Sequence, residues 1–503
     1  MAVQPTYPGV YVEEVAGGAR TIPGVSTSTT VFIGWAPRGP VERAQRVGSF
    51  REFEEHCGGI DARSLLGYSV KHFFDNGGSD AHVVRVVAGN AATAAVTLDG
   101  RLRLTARSPG AWANAYTVEV RAQAGSPGRF ALVLRHCPTG NPAVEVERFE
   151  NLALALGDAR AADVVINAQS ALVTAERVGS AAVPPADTPT GSPLPLTGGQ
   201  DGDVLVPGTA EFARRFPAGG AGGVFDRLDA LDAFNLLVVP GETTPGVVAT
   251  LQAYCRKRRA FCILDCAATA TVDSVRGQAA AASAGPGPMN SALFFPWITA
   301  PDPLAGGQPR NFPPGGFVAG IYARTDSARG VWKAPAGTEA GVRGATGLAV
   351  VLRDDENGVL NPLAVNCLRR FPAPGIVVWG SRTLDGTDAR ASEWKYVPVR
   401  RTALYIEESL VRGTQWAVFE PNGEPLWAQL RLNVGTFMNH LFRQGAFQGQ
   451  TPRDAFFVKC DRETTTQSDI LNGIANVWVG FAPLKPAEFV VIKIALKVGQ
   501  AAP

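Results

Sequence analysis

Histidine is scarce in this chain: there are five in 503 residues, and none falls between 141 and 439. A hydrolytic triad needs an imidazole to take the nucleophile's proton, so that whole stretch cannot assemble one from its own residues. Other catalytic signatures are missing too. No G-x-S-x-G elbow occurs, no Gly-Lys pair allows a Walker A loop, and no G-x-G-x-x-G follows a predicted strand. Charge of one sign is also missing. The 47 basic and 45 acidic side chains leave a net charge of +2, which argues against a nucleic-acid binder. Lysine is outnumbered by arginine, 8 to 39, which reads as genome composition. No run approaches the ~18 apolar residues of a bilayer span. The opening MAVQPTYPGVYVEEV has neither the basic nor the apolar region of a secretory signal. The seven cysteines are scattered and odd in number, so a disulfide framework is not expected and synthesis in a reducing cytosol is.

Hydrophobic residues make up 46% of the chain, with 56 glycines and 37 prolines. That composition describes a loop-rich globular protein of roughly three domains. Thr29 to Trp35 reads as a buried strand. Ser49 to Glu52 resembles a capping box, Ser64 to Asn76 has helical periodicity, and His82 to Val87 is another strand. Residues 91–195 change texture: Tyr116 to Arg121, Phe130 to Arg135 and Val144 to Phe149 alternate, and a Pro/Ser/Thr/Gly stretch ends the segment. This predicts a mostly β insertion on flexible connections. From about 200 to 345, short apolar strands (Asn235 to Val239, Phe261 to Asp265, Ala292 to Trp297) alternate with helices (Pro245 to Arg259, Val272 to Ala282, Gly316 to Arg329). That is the pattern of a parallel, doubly wound sheet. The last third predicts strands at Gly375 to Trp379, Trp416 to Phe419, Phe456 to Lys459 and Asn476 to Phe481. It predicts helices at Val399 to Val411, Leu426 to Arg443 and Ser468 to Ile474.

Five features invite a chemical reading, and each has a plainer one. Asp265 ends a strand where α/β sites lie, but Asp there commonly caps the next loop. Cys255, Cys262 and Cys266 have no metal-ligand spacing and read as buried thiols. His56 and Cys57 are adjacent and point apart on a helix. Arg256-Lys257-Arg258-Arg259 suits a helix C-terminus as a solvated cap, and Asp354 to Gly358 reads as a turn.

The two ends carry the most informative pattern. Val10-Tyr11-Val12-Glu13-Glu14-Val15 is a β-prone run without a hairpin partner. Glu488 to Val498 is another, with Ile492, Ile494, Leu496 and Val498 on one face and Val491, Lys493, Ala495 and Lys497 on the other. Each end could be an edge strand of its own chain. Each could instead be exchanged between copies, and Glu13 and Glu14 would then oppose Lys493 and Lys497. Head-to-tail exchange makes rings or open helical filaments.

Several segments, in this order, resemble contractile tail sheath proteins. They are Tyr7 to Val15 (YPGVYVEEV), Val31 to Pro40 (VFIGWAPRGP), Phe74 to Gly78 (FDNGG), Gly330 to Ala336 (GVWKAPA), Leu360 to Pro362, Val378 to Leu384 (VWGSRTL) and Trp394 to Arg401 (WKYVPVRR). The resemblance implies an α/β, multidomain structural subunit with no catalytic, metal or cofactor site. It implies stacked six-membered rings around an inner tube, contracting on a baseplate signal. Implied partners are further copies, a tube protein, and baseplate and cap proteins, without nucleic acid or membrane insertion. Assembly in a bacterial cytoplasm as part of a phage tail or related injection particle follows.

On the same basis, residues 1–25 and 487–503 are linker arms, the latter including Phe489, and Gly17, Gly18, Pro483 and Pro486 are hinge candidates. Residues 26–90 and 346–486 make an inner domain, 91–195 a variable outer domain, and 196–345 a subtilisin-like fold that lacks its histidine. Arg400, Arg401, Arg412, Arg431 and Arg443 are expected to face the tube. The competing readings are a hydrolase-like α/β enzyme and another ring or capsid protein.

Overall fold

The computed structural model describes residues 21–488 except 124, 127, 139, 180, 181, 190 and 191. The chain divides into two compact units. The smaller holds, among the described residues, 21–26, 329–334 and 398–488; the larger holds 27–328 and 335–397.

The larger unit is built on one eight-stranded sheet. Its strands are β1 (Thr30–Gly34), β2 (Gln45–Val47), β3 (Ala81–Arg85), β4 (Leu236–Val238), β5 (Phe261–Asp265), β6 (Ser291–Phe295), β7 (Val365–Phe371) and β8 (Gly375–Val378). They lie in the order β8-β7-β6-β5-β4-β1-β3-β2. All neighbours from β7 to β3 run parallel, and the outermost pairs, β7–β8 and β2–β3, are antiparallel. Strands such as Thr-Val-Phe-Ile-Gly and Phe-Cys-Ile-Leu-Asp are buried at every position, as parallel strands covered on both faces must be.

Alternate side chains divide between two layers. Val31, Ile33, Leu237, Cys262, Leu264, Leu293 and Val365 share one core with Val248, Leu251, Val275 and Ala279. Those four belong to two of the unit's helices. Five of that unit's helices, in chain order, are α1 (Phe50–Cys57), α2 (Leu66–Asp75), α3 (Pro245–Lys257), α4 (Val272–Ser283) and α5 (Gly315–Arg329). On the opposite face Phe32 meets Phe73 of α2 edge-on at 5.4 Å, and Phe294 meets Tyr322 of α5 at 6.3 Å. α5 lies hard against α2. A Cβ at Gly316 would overlap the Ser69 backbone, and one at Gly320 would overlap the Phe73 carbonyl. Only glycine permits that approach.

Residues 26–90 were expected to join residues 346–486 in an inner domain apart from 196–345. The ladder runs all three into one sheet: Thr30, Val31 and Phe32 lie opposite Leu236, Leu237 and Val238, and β7 and β8 come from 346–486. An all-apolar strand with a free edge is satisfied by a parallel neighbour on each side, and β4 and β3 supply both.

The insertion has its own apolar core, including Leu104, Val118, Leu132, Phe149, Ile166 and Val173. It contains a three-stranded sheet (Ala95–Leu98, Leu102–Ala106, Val173–Arg177) and a four-stranded one (Leu194–Pro195, Tyr116–Ala122, Phe130–His136, Val144–Leu152). Its attachment is not the loose tether expected. The buried Arg85 guanidinium donates to the carbonyls of Ala36, Pro37, Gly39 and Pro109 at 2.7–3.0 Å. Asp201 accepts from Ala111 N at 2.8 Å and from Arg63 at 3.0 Å.

The smaller unit contains α6 (Val397–Gly413, from Pro398 onward), α7 (Glu424–Arg443), and the strands β9 (Phe456–Lys459) and β10 (Trp478–Phe481). Two further expectations change. Trp416 to Phe419 is no strand: Gln415–Ala417 is a 3-10 turn, leaving Val418 and Phe419 exposed. With no partner strand available, a β-prone tetrapeptide closes as a turn before Pro421-Asn422-Gly423. Asp354 to Gly358 opens a helix, Asp354–Leu360, whose three first-turn acids complement its N-terminus.

Candidate assembly site

β9 and β10 are the two strands of one antiparallel hairpin, in the register Phe456↔Phe481, Phe457↔Gly480, Val458↔Val479 and Lys459↔Trp478. Local chemistry fixes both ends of β9. Thr451 and Asp454 form a reciprocal cap on the turn Pro452–Ala455, which delivers the chain into the strand. After Lys459, Asp461 accepts from the backbones of Glu463 and Thr464 at 2.8 and 3.2 Å and turns the chain away.

Period-two alternation separates the hairpin's faces. Phe456, Val458, Val479 and Phe481 pack on a core formed by Ile22, Ile406, Val434, Phe437, Met438 and Phe447. The outward face carries Phe457 and Trp478, each 57% exposed, together with Lys459 and Gly480. A Cβ at Gly480 would run into the Phe457 ring, so glycine there lets the ring lie across the neighbouring strand. Among the described residues no third strand pairs with either edge. A two-stranded sheet with both edges open is a marginal structure and a template for further strands.

Both ends of the described chain arrive at this unit. Ile22 is part of the same core, and Val25 N donates to Ser409 Oγ at 3.2 Å. Beyond β10, Ala482 N donates to the Ala455 carbonyl at 2.8 Å, and Pro483 bridges to Phe447. The anticipated arm residues Val10, Tyr11, Val12, Glu13, Glu14 and Val15 lie outside the described residues. So do Phe489, Val491, Ile492, Lys493, Ile494, Leu496, Lys497, Gly17 and Gly18.

The five arginines expected on a tube-facing helix surface are not equivalent. Arg400 and Arg401 are only 8% and 3% exposed, so neither lies on a solvated helix face. Arg400 reaches Glu407 at 3.2 Å, and Arg412 pairs with Glu408 one turn earlier at 2.8 Å. Arg431 bridges Glu424 at 2.6 Å and the Cys460 carbonyl, and the hydrogen bond to Glu424 raises its pKa. Arg443, in the last turn of α7, is exposed.

In the larger unit, Asp265 sits buried at the carboxyl end of β5. Its carboxylate accepts from Gly241 N at 2.9 Å and Gly315 N at 2.6 Å, tying the loop after β4 to the first residue of α5. Burial pushes its pKa up to about 7, against the pull of those two N–H donors. Cys255, Cys262 and Cys266 are buried free thiols, and Cys57 is buried beside the exposed His56. No group of three potential metal ligands occurs among the described residues.

Known proteins match this arrangement. The family model for the phage tail sheath protein central domain matches residues 221–384, and that for the phage tail sheath C-terminal domain matches 390–497. Together the two models span more than half of the chain. The chain belongs to the contractile tail sheath family. It is 28% identical over 278 residues to a protein of Pseudomonas aeruginosa (strain UCBPP-PA14) named as a prophage major tail sheath protein, covering 54% of this chain and 68% of that one. It is 26% identical over 177 residues to the tail sheath protein of Vibrio phage KVP40, covering 35% of this chain and 25% of the phage protein.

Among solved structures, the sheath fold recurs in the contracted sheath complex of the extracellular contractile injection system PVC. The TM-score is 0.61 at 22% identity, over 99% of both chains. It recurs also in a crystallised sheath tail protein of Listeria innocua, with a TM-score of 0.61 at 13% identity, covering 92% of this chain and 96% of that one. The hairpin of this sheath-family chain lies within the segment matched by the C-terminal domain model. Sequence reading named both of its strands but neither their pairing nor their open edges. The signal available was their alternation, Phe-Phe-Val-Lys and Trp-Val-Gly-Phe, at equal length.

Proposed function

We propose that this chain is the structural subunit of a contractile sheath, polymerising as stacked six-fold rings around an inner tube and shortening to drive that tube through a target envelope. The observation that carries the reading is the hairpin whose two edges are open among the described residues, in a unit that also holds both ends of the described chain. Strand-forming segments at 10–15 and 488–498 are the natural occupants of such edges in neighbouring copies. Each added strand contributes backbone ladder bonds and places alternate side chains in register. Donor and acceptor surfaces differ, so the contact is heterologous and open-ended, as a tube requires.

The sheath state of the PVC relative is contracted. Contraction here is a rearrangement between two packings of the same subunits, with the strand-exchanged arms holding neighbours together while other surfaces repack. Pro483 and Pro486 precede the C-terminal arm and restrict its backbone, which suits a connector that transmits rotation. The 91–195 insertion is read as the outer domain. The sheet of the larger unit is read as the subtilisin-like middle domain without a proteolytic role. Of the five arginines, Arg443 is the best placed to meet an acidic tube. The family's partners and its cytoplasmic assembly are carried over as part of this proposal.

Removing residues 487–503 tests the strand-exchange core of the reading. The truncated chain is expected to remain folded and soluble by circular dichroism and sedimentation, and to form no tubes. Tubes indistinguishable from those of the full chain would contradict it.

A further inference from the structure

Residues 22–25 lie along one stripe of α6. Tyr405, Ser409 and Gly413 recur every fourth residue, so they share a face of that helix. Each meets a different residue of the segment. Ile22 is buried in the core of the smaller unit and passes Gly413 so closely that a Cβ there would stand 2.4 Å from its side chain. Gly24 passes the end of the Tyr405 ring, where a Cβ would stand 2.1 Å from the hydroxyl oxygen. Val25 N donates to Ser409 Oγ at 3.2 Å, and the buried Ser409 hydroxyl is also hydrogen-bonded to Tyr405. The seat is built from both sides: a glycine of the segment makes room for the helix, and a glycine of the helix makes room for the segment.

Shortly after Val25 the chain is bound again, in the larger unit. Thr29 N donates to Asn235 Oδ1 at 3.0 Å, and β1 begins at Thr30. The other end of the described chain is fixed to the smaller unit as well. β10 pairs with β9, and Gln448 N donates to the Ala482 carbonyl at 2.9 Å. Ile22, Ile406 of α6, and Val479 and Phe481 of β10 share one apolar core.

We propose that the Tyr405–Ser409–Gly413 stripe is a clasp, through which a pull on the chain N-terminal of Thr21 passes into α6 and the core of the smaller unit without reaching β1. Its use in a sheath rests on the strand-addition reading above, which supplies the pull; the clasp itself stands on contacts within one chain. Without the clasp, the pull would run through residues 26–28 onto β1, an inner strand of the eight-stranded sheet held between β3 and β4. With it, tension entering at one end of the described chain and leaving at the other crosses the smaller unit alone. The larger unit can then exchange its surface contacts while the link stays taut.

The test uses the unassembled 503-residue chain, so its outcome does not depend on strand addition. Hydrogen exchange of the Val25 amide is read first. It is expected to be slowed about 10-fold or more relative to an unprotected amide, and Gly24→Ala to remove that protection. Tyr405→Phe in the same chain takes away the oxygen that the new methyl group strikes, leaving ring carbon Cζ at 3.2 Å, and should restore the protection. Free exchange at Val25 in the parent, or a loss that Tyr405→Phe does not restore, would overturn the clasp. Optical tweezers then pull the chain by tags fused to its two termini. The force at which the larger unit starts to extend is expected to be lower in Gly24→Ala than in the parent, and to recover with Tyr405→Phe. An equal force in parent and Gly24→Ala would overturn the load path. If Gly24→Ala does not fold, Ser409→Ala, which removes the acceptor of Val25 N and adds no bulk, is measured in its place with the same expected losses. Either result leaves strand addition standing, which the 487–503 truncation decides.

Discussion

Two buried titratable groups in the larger unit pull its stability in opposite directions with pH. Asp265 has its pKa raised to about 7 by burial. In the unfolded chain it would titrate near the ordinary value of about 4. Its neutral form is the one the fold prefers, so its contribution is present below that ordinary value and lost as pH rises through about 7. His72 is the reverse: burial lowers its pKa to about 3. It stacks on Phe317 at 3.9 Å and meets Phe312 edge-on at 5.1 Å, and its Nε2 has no hydrogen-bond partner. Its contribution is complete above about 6.5 and is lost as pH falls toward 3. Between about pH 4 and 6.5 the two slopes oppose. His72→Phe keeps an aromatic ring in the stack and removes one slope. Its denaturation midpoint, relative to the parent's, should therefore rise as pH is lowered from 6.5 to 4, and a constant difference would contradict the assignment.

Residues of this kind were partly legible in advance. The position of Asp265 at a strand end pointed to a cap, but not to one that joins a loop to a helix 50 residues later. The basic run 256–259 was read as solvated. In the structure Arg258 instead donates to the carbonyls of Leu228 and Leu231, both at 2.7 Å, and to Asp229 at 3.0 Å. Such partners come from distant sequence, and no local pattern encodes them.

At the scale of elements, periodicity and turn chemistry were reliable guides wherever one face of an element met one core. β5 and β9 have the bounds expected from their apolar runs, and α7 begins two residues before the predicted Leu426. β7 was not anticipated, because the basic pair Arg369-Arg370 near the end of Val365–Phe371 masks its buried first half. The insertion's Ala95–Leu98 and Leu102–Ala106 were hidden by alanine and threonine, which give weak alternation. The α2–α5 contact was invisible as well: a pair of glycines four residues apart reads as a loss of helix propensity until a facing backbone is known. Gly320→Ala should cost about 2 kcal/mol or more, since the new methyl group overlaps backbone and not a movable side chain. The mutation should shift the urea midpoint without changing its slope. A loss no larger than a few tenths of a kcal/mol would mean that the two helices are not in contact there.

For the whole molecule, one chain combines a doubly wound unit with a smaller unit whose hairpin has no further strand among the described residues. Division of labour follows from that difference. The larger unit hides its parallel strands behind antiparallel edge strands and helices, which protects it from unplanned pairing. Among the described residues, the smaller one leaves both edges of a hairpin unpaired and holds both ends of the described chain. Assembly by strand exchange needs that combination, and strand-forming ends without a hairpin to receive them would be an aggregation hazard.

The most direct measurement is negative-stain electron microscopy of the purified 503-residue chain, alone and co-expressed with its genomic neighbours. The account predicts helical tubes or stacks of six-fold rings. A monodisperse monomer under both conditions would contradict it.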